Sequence, residues 1–298
     1  MSIVAVTGSS GKLGRHVVRD LTEHGHHVVA LDRVPDPDSP AASTVRVDLT
    51  DFGQVYEALT GVDEGRPAEA VVHLGAIPAP GLTTNAATFA NNAPGTYNVF
   101  AAARRAGIRR VVWASSETVL GLPFGTGPDQ APPPYLPVDE EYPPRPSSTY
   151  SLVKTLEEEM ARQFCRWEPT LAMVGLRFSN VMDVADYARF PDFDADPRSR
   201  SWNLWGYIDG RDGAQAVRLA LEHTANGPAG VEVFVIANAD TVMSRSSADL
   251  AAEVFPGVPV TRPLGEHETL LSIEKARRVL GYSPAHSWRD EIGSAGVS

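Results

Sequence analysis

The sequence predicts an α/β protein with a doubly wound parallel sheet and a smaller carboxyl-terminal lobe. Three observations lead to this fold class. Short Val-rich runs alternate with helical segments through the first half of the 298-residue chain. These runs are apolar almost throughout, which is typical of parallel strands that helices cover on both faces. A glycine-rich turn follows the first run, and the regular alternation stops near residue 178.

The first half contains five predicted strands, at residues 2–7, 27–32, 44–48, 69–76 and 109–116. Two long helices are predicted at residues 84–107 and 147–167. The first closes on two arginines and Gly107, a typical helix end, and the second opens with Ser-Ser-Thr, which can cap it. The second half adds predicted strands at 170–178 and 231–237 and predicted helices at 210–222 and 272–280.

Residues 123–146 lie between the fifth strand and the second long helix, and nine of these 24 residues are proline. This density excludes a helix or a central strand, because proline lacks the backbone N–H that both structures need. The segment is therefore predicted to be a long surface loop. Long loops in compact domains are usually functional or disordered.

The composition excludes several classes of function. The chain has 26 Lys and Arg against 37 Asp and Glu, a net charge of −11, which argues against a nucleic-acid-binding surface. No apolar run approaches the roughly 18 residues that a membrane span requires, and no signal peptide is evident. The single cysteine, Cys165, allows no intrachain disulfide and no Cys-rich zinc site. We expect a cytoplasmic protein without a bound metal, and interpret His24, His26 and His27 as a solvated turn.

The glycine-rich turn Thr7–Gly14 directly follows the first strand and opens a helix. Gly8 allows a tight turn, Gly11 lets the backbone approach a pyrophosphate, and Gly14 lets the helix pack closely on the strand. The helix start offers backbone N–H groups and a partial positive charge to phosphates. This arrangement predicts a dinucleotide-binding site in a Rossmann-type fold.

Asp32 ends the second strand, 18 residues after Gly14, close to the spacing of roughly 20 at which a carboxylate binds the adenosine ribose. A carboxylate there favours NAD, because it repels the 2′-phosphate of NADP. Arg33 leaves NADP open, since a guanidinium can accept that phosphate. Asp48 ends the third strand and can either bind the adenine amino group or cap the next helix, a role for which Asp51 competes.

Tyr150 and Lys154 are four residues apart and therefore share one face of the second long helix. A lysine ammonium held near a tyrosine stabilises the phenolate and lowers the phenol pKa from its ordinary value near 10. The pair can then remove a hydroxyl proton while a hydride leaves the carbon. Ser116, at the end of the fifth strand, supplies a hydroxyl that can bind the same substrate oxygen.

These motifs resemble the extended short-chain dehydrogenase/reductase family, of the NAD-dependent epimerase/dehydratase type. The resemblance covers nearly the whole chain and runs through TGSSGKLG, VDLTD, VVHLGA, NNAPGTYNVFAAARRAG, VVWASSETVLG, YSLVK, GLRFSNV and WGYIDGRDGAQAVRLALE. It implies a homodimer formed through the helices at 84–107 and 147–167. It also implies that residues 1–177 with 207–240 bind NAD, and that 178–206 with 241–298 form the substrate-binding lobe.

The resemblance implies three catalytic residues: Ser116 as the catalytic hydroxyl, Tyr150 as the acid/base and Lys154 as the residue that binds the nicotinamide ribose. Motifs and resemblance together predict these cofactor-binding residues: Gly8, Ser10, Gly11, Lys12, Leu13, Gly14, Asp32, Arg33, Asp48, Leu49, Leu74, Gly75, Ala76, Asn92, Lys154 and Phe178. The predicted substrate-binding residues are Ser116, Glu117, Asn180 and Trp202.

The chain departs from the family pattern after Ser116. Dehydratases of the family carry an Asp-Glu pair where this chain has Glu117 and Thr118, so dehydration is not expected. Many epimerases carry a tyrosine where this chain has Leu120. The segment before residue 205 lacks the Gly-Asp-Gly stretch typical of enzymes that hold a nucleotide sugar.

Three hypotheses of function remain open at this point. An epimerase acting on a sugar or nucleotide sugar is favoured. A net dehydrogenase of a free sugar or uronate is the first alternative, and a non-catalytic NAD(P)-sensing regulator is the second. In the substrate lobe, Trp202, Trp205 and Tyr207 either form a sugar-stacking wall or fill the core. Arg198 and Arg200 either bind a substrate anion or lie in a solvated loop, which is the interpretation we favour.

Overall fold

The computed structural model describes residues 1–61, 65–125 and 130–295, with side chains up to residue 292. The strands there are β1 (Ile3–Thr7), β2 (His27–Asp32), β3 (Ser43–Arg46), β4 (Ala70–His73), β5 (Arg110–Ser116), β6 (Ala172–Phe178), β7 (Val181–Met182), β8 (Ile208–Asp209) and β9 (Gly230–Ile236). The α-helices are α1 (Lys12–Glu23), α2 (Phe52–Thr60), α3 (Asn85–Arg105), α4 (Thr149–Trp167), α5 (Gly210–Asn226), α6 (Ser247–Val254), α7 (Glu274–Leu280) and α8 (Trp288–Ala295). Short 3-10 helices cover Glu117–Leu120, Val184–Ala195 and Pro197–Asn203.

Seven of these strands form one sheet in the order β3-β2-β1-β4-β5-β6-β9. β1 pairs in parallel with β2 on one side and with β4 on the other, where Thr7 lies opposite His73. The strand order therefore reverses between β1 and β4, which is the point at which open parallel sheets bind ligands. The predicted α/β, doubly wound fold class is confirmed.

The chain forms two compact units. The first comprises residues 1–115, 148–176 and 214–233, and the second comprises 116–147, 177–213 and 234–298. The predicted assignment of NAD binding to one part of the chain and substrate binding to another concerns what each part binds, and it stays a prediction.

The core of the first unit explains why its strands could be predicted from the sequence. Every residue of β1 and β4 is buried, so a continuous apolar run was required at both. Phe100 on α3 packs edge-on against Trp113 of β5 and Phe164 of α4, with ring centroids 5.7 and 5.9 Å apart. These contacts fix the two long helices against the sheet.

Both long helices begin at side-chain caps. The hydroxyl of Thr84 accepts a hydrogen bond from the N–H of Ala87 at the start of α3. Ser148 and Ser151 exchange bonds at the start of α4, each hydroxyl accepting from the other residue's backbone N–H. Such caps satisfy N–H groups that the helix itself leaves unpaired. The two predicted helices are confirmed, with their first residues at Asn85 and Thr149.

The second unit is held together by an aromatic cluster. The rings of Tyr187, Phe190 and Tyr207 lie within 6.0 Å of one another, and Trp288 packs on Phe190. Trp205 and Tyr207 are fully buried, so the interpretation that they fill the core is confirmed and the stacking-wall alternative is wrong for both. The short helices α6 and α8 were not predicted.

The segment 123–146 contains no helix or strand in its described part, as its prolines predict. Residues 126–129 lie outside the described residues. The expected surface location is wrong at Phe124, Leu136, Val138 and Tyr142, which are buried. The reason is that residues between prolines keep their N–H groups: Leu136 and Val138 donate them to the carbonyls of Pro259 and Leu270, which anchors their side chains inside the unit.

Within the described ranges, no helix is long and apolar enough to cross a membrane. Over the same ranges, no group of three or more His, Cys, Asp or Glu side chains is placed to hold a metal ion.

Candidate active site

The glycine-rich turn is tightly packed in the first unit. Gly8 has a φ of +69°, and a Cβ added there would lie 2.6 Å from the backbone nitrogen of Gly75. A Cβ at Gly14 would lie 2.1 Å from the carbonyl oxygen of Gly8. By contrast, a Cβ at Gly11 would meet only that same oxygen, at 3.2 Å. Gly8 and Gly14 are thus required by the packing of the chain itself. Gly11 is not, so its lack of a side chain is available to let a ligand approach.

The turn has the features expected of a phosphate site. Gly11 precedes α1 and provides no side-chain cap. The first-turn N–H groups of a helix, here at residues such as Lys12 and Leu13, have no partner within the helix and can bind a phosphate. The hydroxyl oxygen of Ser10 is buried and has no hydrogen-bond partner among the described residues. A buried polar atom of this kind calls for a ligand or water. The residues present therefore fit a pyrophosphate.

Asp32 lies against this turn. Its two carboxylate oxygens accept hydrogen bonds from the N–H groups of Ser10, at 3.0 Å, and Val34, at 3.1 Å. A carboxylate oxygen accepts more than one bond, so both remain able to bind ribose hydroxyls. The exposed side chain of Arg33 donates instead to Asn91, at 3.0 Å, and to Asp48, at 3.5 Å.

A cavity of about 530 Å³ lies beside the turn. It is lined by Ser9, Ser10, Arg15, Val18, Arg19 and residues 34–40. Arg15, Arg19 and the 34–40 segment were not among the predicted site residues. A signal was present, because the two arginines are four residues apart on α1 and the segment after β2 carries three prolines that shape the backbone.

Asp51, and not Asp48, caps the helix after the third strand. Asp51 caps α2 by accepting from the N–H of Gln54, at 3.2 Å. Asp48 instead accepts from the N–H and the hydroxyl of Thr50, and these bonds, the backbone bond first, hold its pKa below the ordinary value. The carbonyl of the adjacent Leu49 accepts from the side chain of Asn98, at 2.9 Å.

The loop after β4 is fixed by an asparagine. Asn92 accepts from the N–H of Ile77, at 2.8 Å, and donates to the carbonyl of the same residue, at 3.0 Å. This pairing holds the chain directly after residues 74–76, the segment predicted to pass the pyrophosphate. Asn92 is itself buried, so its role in the fold is to set the path of that loop.

Tyr150 and Lys154 lie together in the first unit, both buried on α4. The Nζ atom of Lys154 is 5.9 Å from the centroid of the Tyr150 ring. It donates to the carbonyl of Ala114 on β5, at 2.8 Å, and to a carboxylate oxygen of Glu157, at 2.9 Å. The charge that the chemistry requires is thus present beside the phenol.

The end of β5 is anchored to the same helix. The hydroxyl of Ser115 donates to Glu158, at 2.7 Å. The next residue is Ser116, whose hydroxyl caps the following 3-10 turn by accepting from the N–H of Thr118, at 3.2 Å. The side chain of Ser116 is buried and belongs to the second unit.

Glu117 is buried in the second unit. One of its carboxylate oxygens accepts from the side chain of Asn203, at 3.1 Å, and the other has no hydrogen-bond partner within the described ranges. Burial raises the pKa of Glu117 to about 7, although Ser179, Asn203 and Arg200 favour its ionised form. Sequence reasoning missed Asn203, because the contact joins residues 86 positions apart.

Glu117 and Trp202 are connected through Gly206. Asn203 and Arg200 both donate to the carbonyl of Gly206, at 2.9 and 3.3 Å. The Arg200 guanidinium also lies 5.2 Å from the ring centroid of Trp202. Arg200 is buried, so its interpretation as part of a solvated loop is wrong. Stacking on aromatic rings repays part of the cost of burying a guanidinium.

The remaining predicted site residues of the second unit lie on and after β6. Phe178 is its last residue and is buried, whereas Asn180 is partly exposed. The carbonyl of Asn180 accepts from the N–H of Ile208 on β8, at 3.0 Å. Arg198 is exposed, in agreement with the interpretation of a solvated side chain.

The model of the NAD dependent epimerase/dehydratase family matches residues 4–194. The UDP-glucose 4-epimerase of Drosophila melanogaster is 28% identical over 225 residues, which cover 69% of this chain and 59% of that enzyme. The chain therefore spans less than two thirds of that relative's length.

Two further similarities extend over the whole chain. The 2-alkyl-3-oxoalkanoate reductase of Stenotrophomonas maltophilia is 29% identical, with 94% of each protein covered. A crystal structure of a short-chain dehydrogenase/reductase superfamily protein from Agrobacterium tumefaciens, with bound NAD, superposes with a TM-score of 0.72. The sequence identity is 26%, and 99% of this chain and 96% of that one are covered.

Proposed function

The chain belongs to the NAD dependent epimerase/dehydratase family, and on this basis we propose that it is an epimerase that transfers hydride between NAD and a sugar or nucleotide sugar. Bound NAD would supply the hydride acceptor and, once the ketosugar has presented its other face, the hydride donor. The observation that carries the proposal is the buried ammonium of Lys154, 5.9 Å from the centre of the Tyr150 ring.

The chain's own residues would handle the proton. Tyr150 would accept the proton of the sugar hydroxyl and later return it, because the ammonium of Lys154 favours the phenolate. Ser116 would hydrogen-bond the same substrate oxygen. Lys154 would also bind the nicotinamide ribose. These roles follow from the family resemblance together with the placement of Tyr150 and Lys154 on one face of α4.

NAD binding is proposed at the glycine-rich turn and the strand ends beside it. The first-turn N–H groups of α1 and the hydroxyl of Ser10 would bind the pyrophosphate, and Asp32 would bind the adenosine ribose. The bonds that Arg33 makes to Asn91 and Asp48 favour NAD over NADP, because they engage the guanidinium that a 2′-phosphate would need. The other proposed cofactor-binding residues are Asp48, Leu49, Leu74, Gly75, Ala76, Asn92 and Phe178.

Glu117, Asn180 and Trp202 are the proposed substrate-binding residues. Glu117 supports this proposal because a buried carboxyl with an unused oxygen is able to bind a sugar hydroxyl. Epimerisation is favoured over dehydration because Thr118, which cannot remove a proton from carbon, stands where the family's dehydratases have glutamate.

A net dehydrogenase of a free sugar or uronate is the second candidate. The match to a reductase over 94% of both proteins favours it, because that similarity extends along the whole chain. The first steps of the two reactions are the same. In the epimerase, the oxidised sugar rotates in the site and takes the hydride back on its other face. In the dehydrogenase, the oxidised sugar leaves, and the NADH must then be exchanged for NAD.

The experiment that separates the candidates is incubation of the purified protein with NAD and one sugar at a time. UDP-glucose, UDP-galactose, galactose and galacturonate serve as probes. We expect isomer formation, followed by NMR, without net NADH absorbance. Stoichiometric NADH without the isomer would identify the dehydrogenase instead. If protein shown by calorimetry to bind NAD gives neither the isomer nor NADH with any of these sugars, both enzyme candidates are contradicted. The non-catalytic NAD(P)-sensing regulator is then the remaining hypothesis.

We further propose that the protein is a cytoplasmic homodimer. Leu152 and Leu156 on α4 are exposed, and they lie on the face of the helix opposite Tyr150 and Lys154. On the neighbouring helix α3, Phe89 and Tyr97 are exposed as well. Apolar side chains on two adjacent helices are typical of a protein-protein interface.

A further inference from the structure

Lys154 and Glu157 form a buried ion pair in the first unit. The ammonium is 2.9 Å from Oε2 of Glu157, and both side chains are almost completely buried. A buried lysine normally loses its proton, because burial penalises the charged form. Here burial is the largest single effect, but the charge and hydrogen bond of Glu157, together with Tyr150 and Glu158, outweigh it, and the pKa of Lys154 is raised.

The second carboxylate oxygen of Glu157 belongs to a chain of hydrogen bonds. Oε1 accepts from the hydroxyl of Thr96 on α3, at 3.0 Å. That hydroxyl is 2.9 Å from Nε2 of His73, at the end of β4. Nδ1 of His73 is 2.7 Å from the hydroxyl of Thr7, at the end of β1. The pair is therefore connected to the strand ends beside the glycine-rich turn.

The far end of this chain fixes the direction of every bond in it. The hydroxyl oxygen of Thr7 accepts from the N–H of Gly75 and shares that of Leu74 with the carbonyl of Thr7, which leaves its own hydrogen to point to Nδ1 of His73. Burial, with the charge of Lys154, lowers the pKa of His73 to about 3, so the ring is neutral. A neutral ring that accepts at Nδ1 carries its hydrogen on Nε2 and donates it to Thr96.

Thr96 consequently donates to Glu157. Both carboxylate oxygens then face donors, Oε1 the Thr96 hydroxyl and Oε2 the Lys154 ammonium. A protonated carboxyl would turn a hydrogen toward one of them. With a neutral His73, these hydrogen bonds favour an ionised Glu157, even though burial raises its pKa.

The other titratable groups near the pair have partners of their own. Glu158, one residue along α4, accepts from Ser115 and lies 3.8 Å from Arg162. Tyr150 precedes the lysine by four residues, whereas Glu157 follows it by three. The ring of His73 is neutral. Glu157 is the carboxylate in direct contact with the ammonium.

We propose that Glu157 is a positioning residue for hydride transfer, the counter-ion that keeps Lys154 charged and holds it between β5 and Tyr150. The proposal rests on the proposed function, in which Lys154 acts on Tyr150. Glu157 was not among the site residues predicted from the sequence. The three-residue spacing from Lys154 is the signal that was overlooked.

The test uses the fact that the chain has only three lysines, Lys12, Lys154 and Lys275. Protein labelled with ¹³C at lysine Cε gives three signals, and a Lys154→Arg variant assigns the one of interest. In wild type the Lys154 signal is expected not to titrate up to the highest pH at which the protein stays folded. In Glu157→Gln its midpoint is expected to fall by about two pH units or more.

Glu158→Gln is the matched control, since Glu158 is equally buried and adjacent but bonds Ser115. Its effect on the Lys154 signal is expected to be much smaller. If Glu157→Gln does not fold, Glu157→Asp keeps the charge at shorter reach and is expected to give an intermediate midpoint. A Lys154 titration that is the same in wild type and in the folded Glu157 variant overturns the proposal.

Two further readouts separate this inference from the proposed function. ¹⁵N NMR is expected to find the His73 hydrogen on Nε2, and a hydrogen on Nδ1 would contradict the bond order. With an active sugar, Glu157→Gln is expected to lose kcat on the high-pH side with little change in KM. The lysine titration needs no substrate, so it stands even if no sugar turns over. Turnover with an unaffected Lys154 signal would overturn only the role of Glu157.

Discussion

At the residue scale, the protonation of Glu117 affects both the stability of the protein and its proposed chemistry. Burial raises its pKa from the ordinary 4.5 to about 7, so the folded protein binds a proton that the unfolded chain releases between these values. Unfolding in this window releases that proton, and stability falls as the pH rises from about 4.5 through about 7. The carboxyl is therefore close to its midpoint at neutral pH and can both donate and accept a hydrogen bond.

Glu117→Gln is expected to remove this penalty. The variant should melt close to wild type at pH 5 and about 5 °C higher at pH 8, because the amide carries no charge to bury. Differential scanning calorimetry at both pH values measures the difference. Glu159→Gln, an exposed substitution on α4, is the control and should show no such gain. An equal effect of Glu117→Gln at both pH values would contradict the assignment of the raised pKa.

Asp32 carries the choice of cofactor. Wild type is expected to bind NAD at least about 100-fold more tightly than NADP, because the 2′-phosphate would meet a carboxylate held in place by two N–H groups. Asp32→Asn should narrow this ratio by weakening NAD and relieving the repulsion of NADP. Isothermal calorimetry with both nucleotides measures the ratio. An unchanged ratio in the variant would show that the carboxylate does not face the adenosine ribose.

At the element scale, the β1–α1 turn separates glycines that serve packing from the one that serves a ligand. Gly14→Ala places a Cβ 2.1 Å from a backbone oxygen and is expected to destabilise the protein by about 3 kcal/mol. Gly11→Ala has only a 3.2 Å contact and should fold normally while binding NAD at least about tenfold more weakly. Gly265→Ala, with ordinary contacts, is the control. Unaltered NAD affinity in Gly11→Ala would place the pyrophosphate elsewhere.

The elements that the sequence predicted well are those whose pattern is set by the sheet. Strands buried on both faces must be apolar at every position, and β1 and β4 are. Glycine and the tyrosine-lysine spacing are similarly local signals. The short helices of the second unit gave no such signal: α6 and α8 have eight residues each, and the sequence of residues 184–203, which form 3-10 helices, has no hydrophobic period.

Burial of charged and polar side chains was the other part that the sequence did not reveal. Arg200 looks like a loop cation until its contacts with Phe193 and Trp202 are known. The pairing of Glu117 with Asn203, and the chain from Thr7 to Lys154, join residues far apart in sequence. Such contacts depend on the completed fold, and the local pattern of a single sequence does not encode them.

At the scale of the whole molecule, the exposed apolar face of α3 and α4 predicts a dimer. Leu152→Glu is expected to convert a dimer of 32.0 kDa chains into monomers, because it places a charge in the proposed interface. Light scattering coupled to size exclusion measures the mass. Val260→Glu, an exposed apolar side chain in the second unit, should leave the dimer intact. A monomeric wild type, or a dimeric Leu152→Glu variant, would contradict the proposed interface.

The central claim is that the phenol of Tyr150, whose ionised form is stabilised by the ammonium of Lys154, controls hydride transfer to NAD. Single-turnover conversion of the sugar found active in the screen tests it most directly, in Tyr150→Phe and in Tyr142→Phe, which alters an equally buried tyrosine. We expect Tyr142→Phe to react like wild type, and Tyr150→Phe to react at least about 1000-fold more slowly with unchanged NAD affinity. Conversion of the sugar by Tyr150→Phe at the wild-type rate would contradict the account.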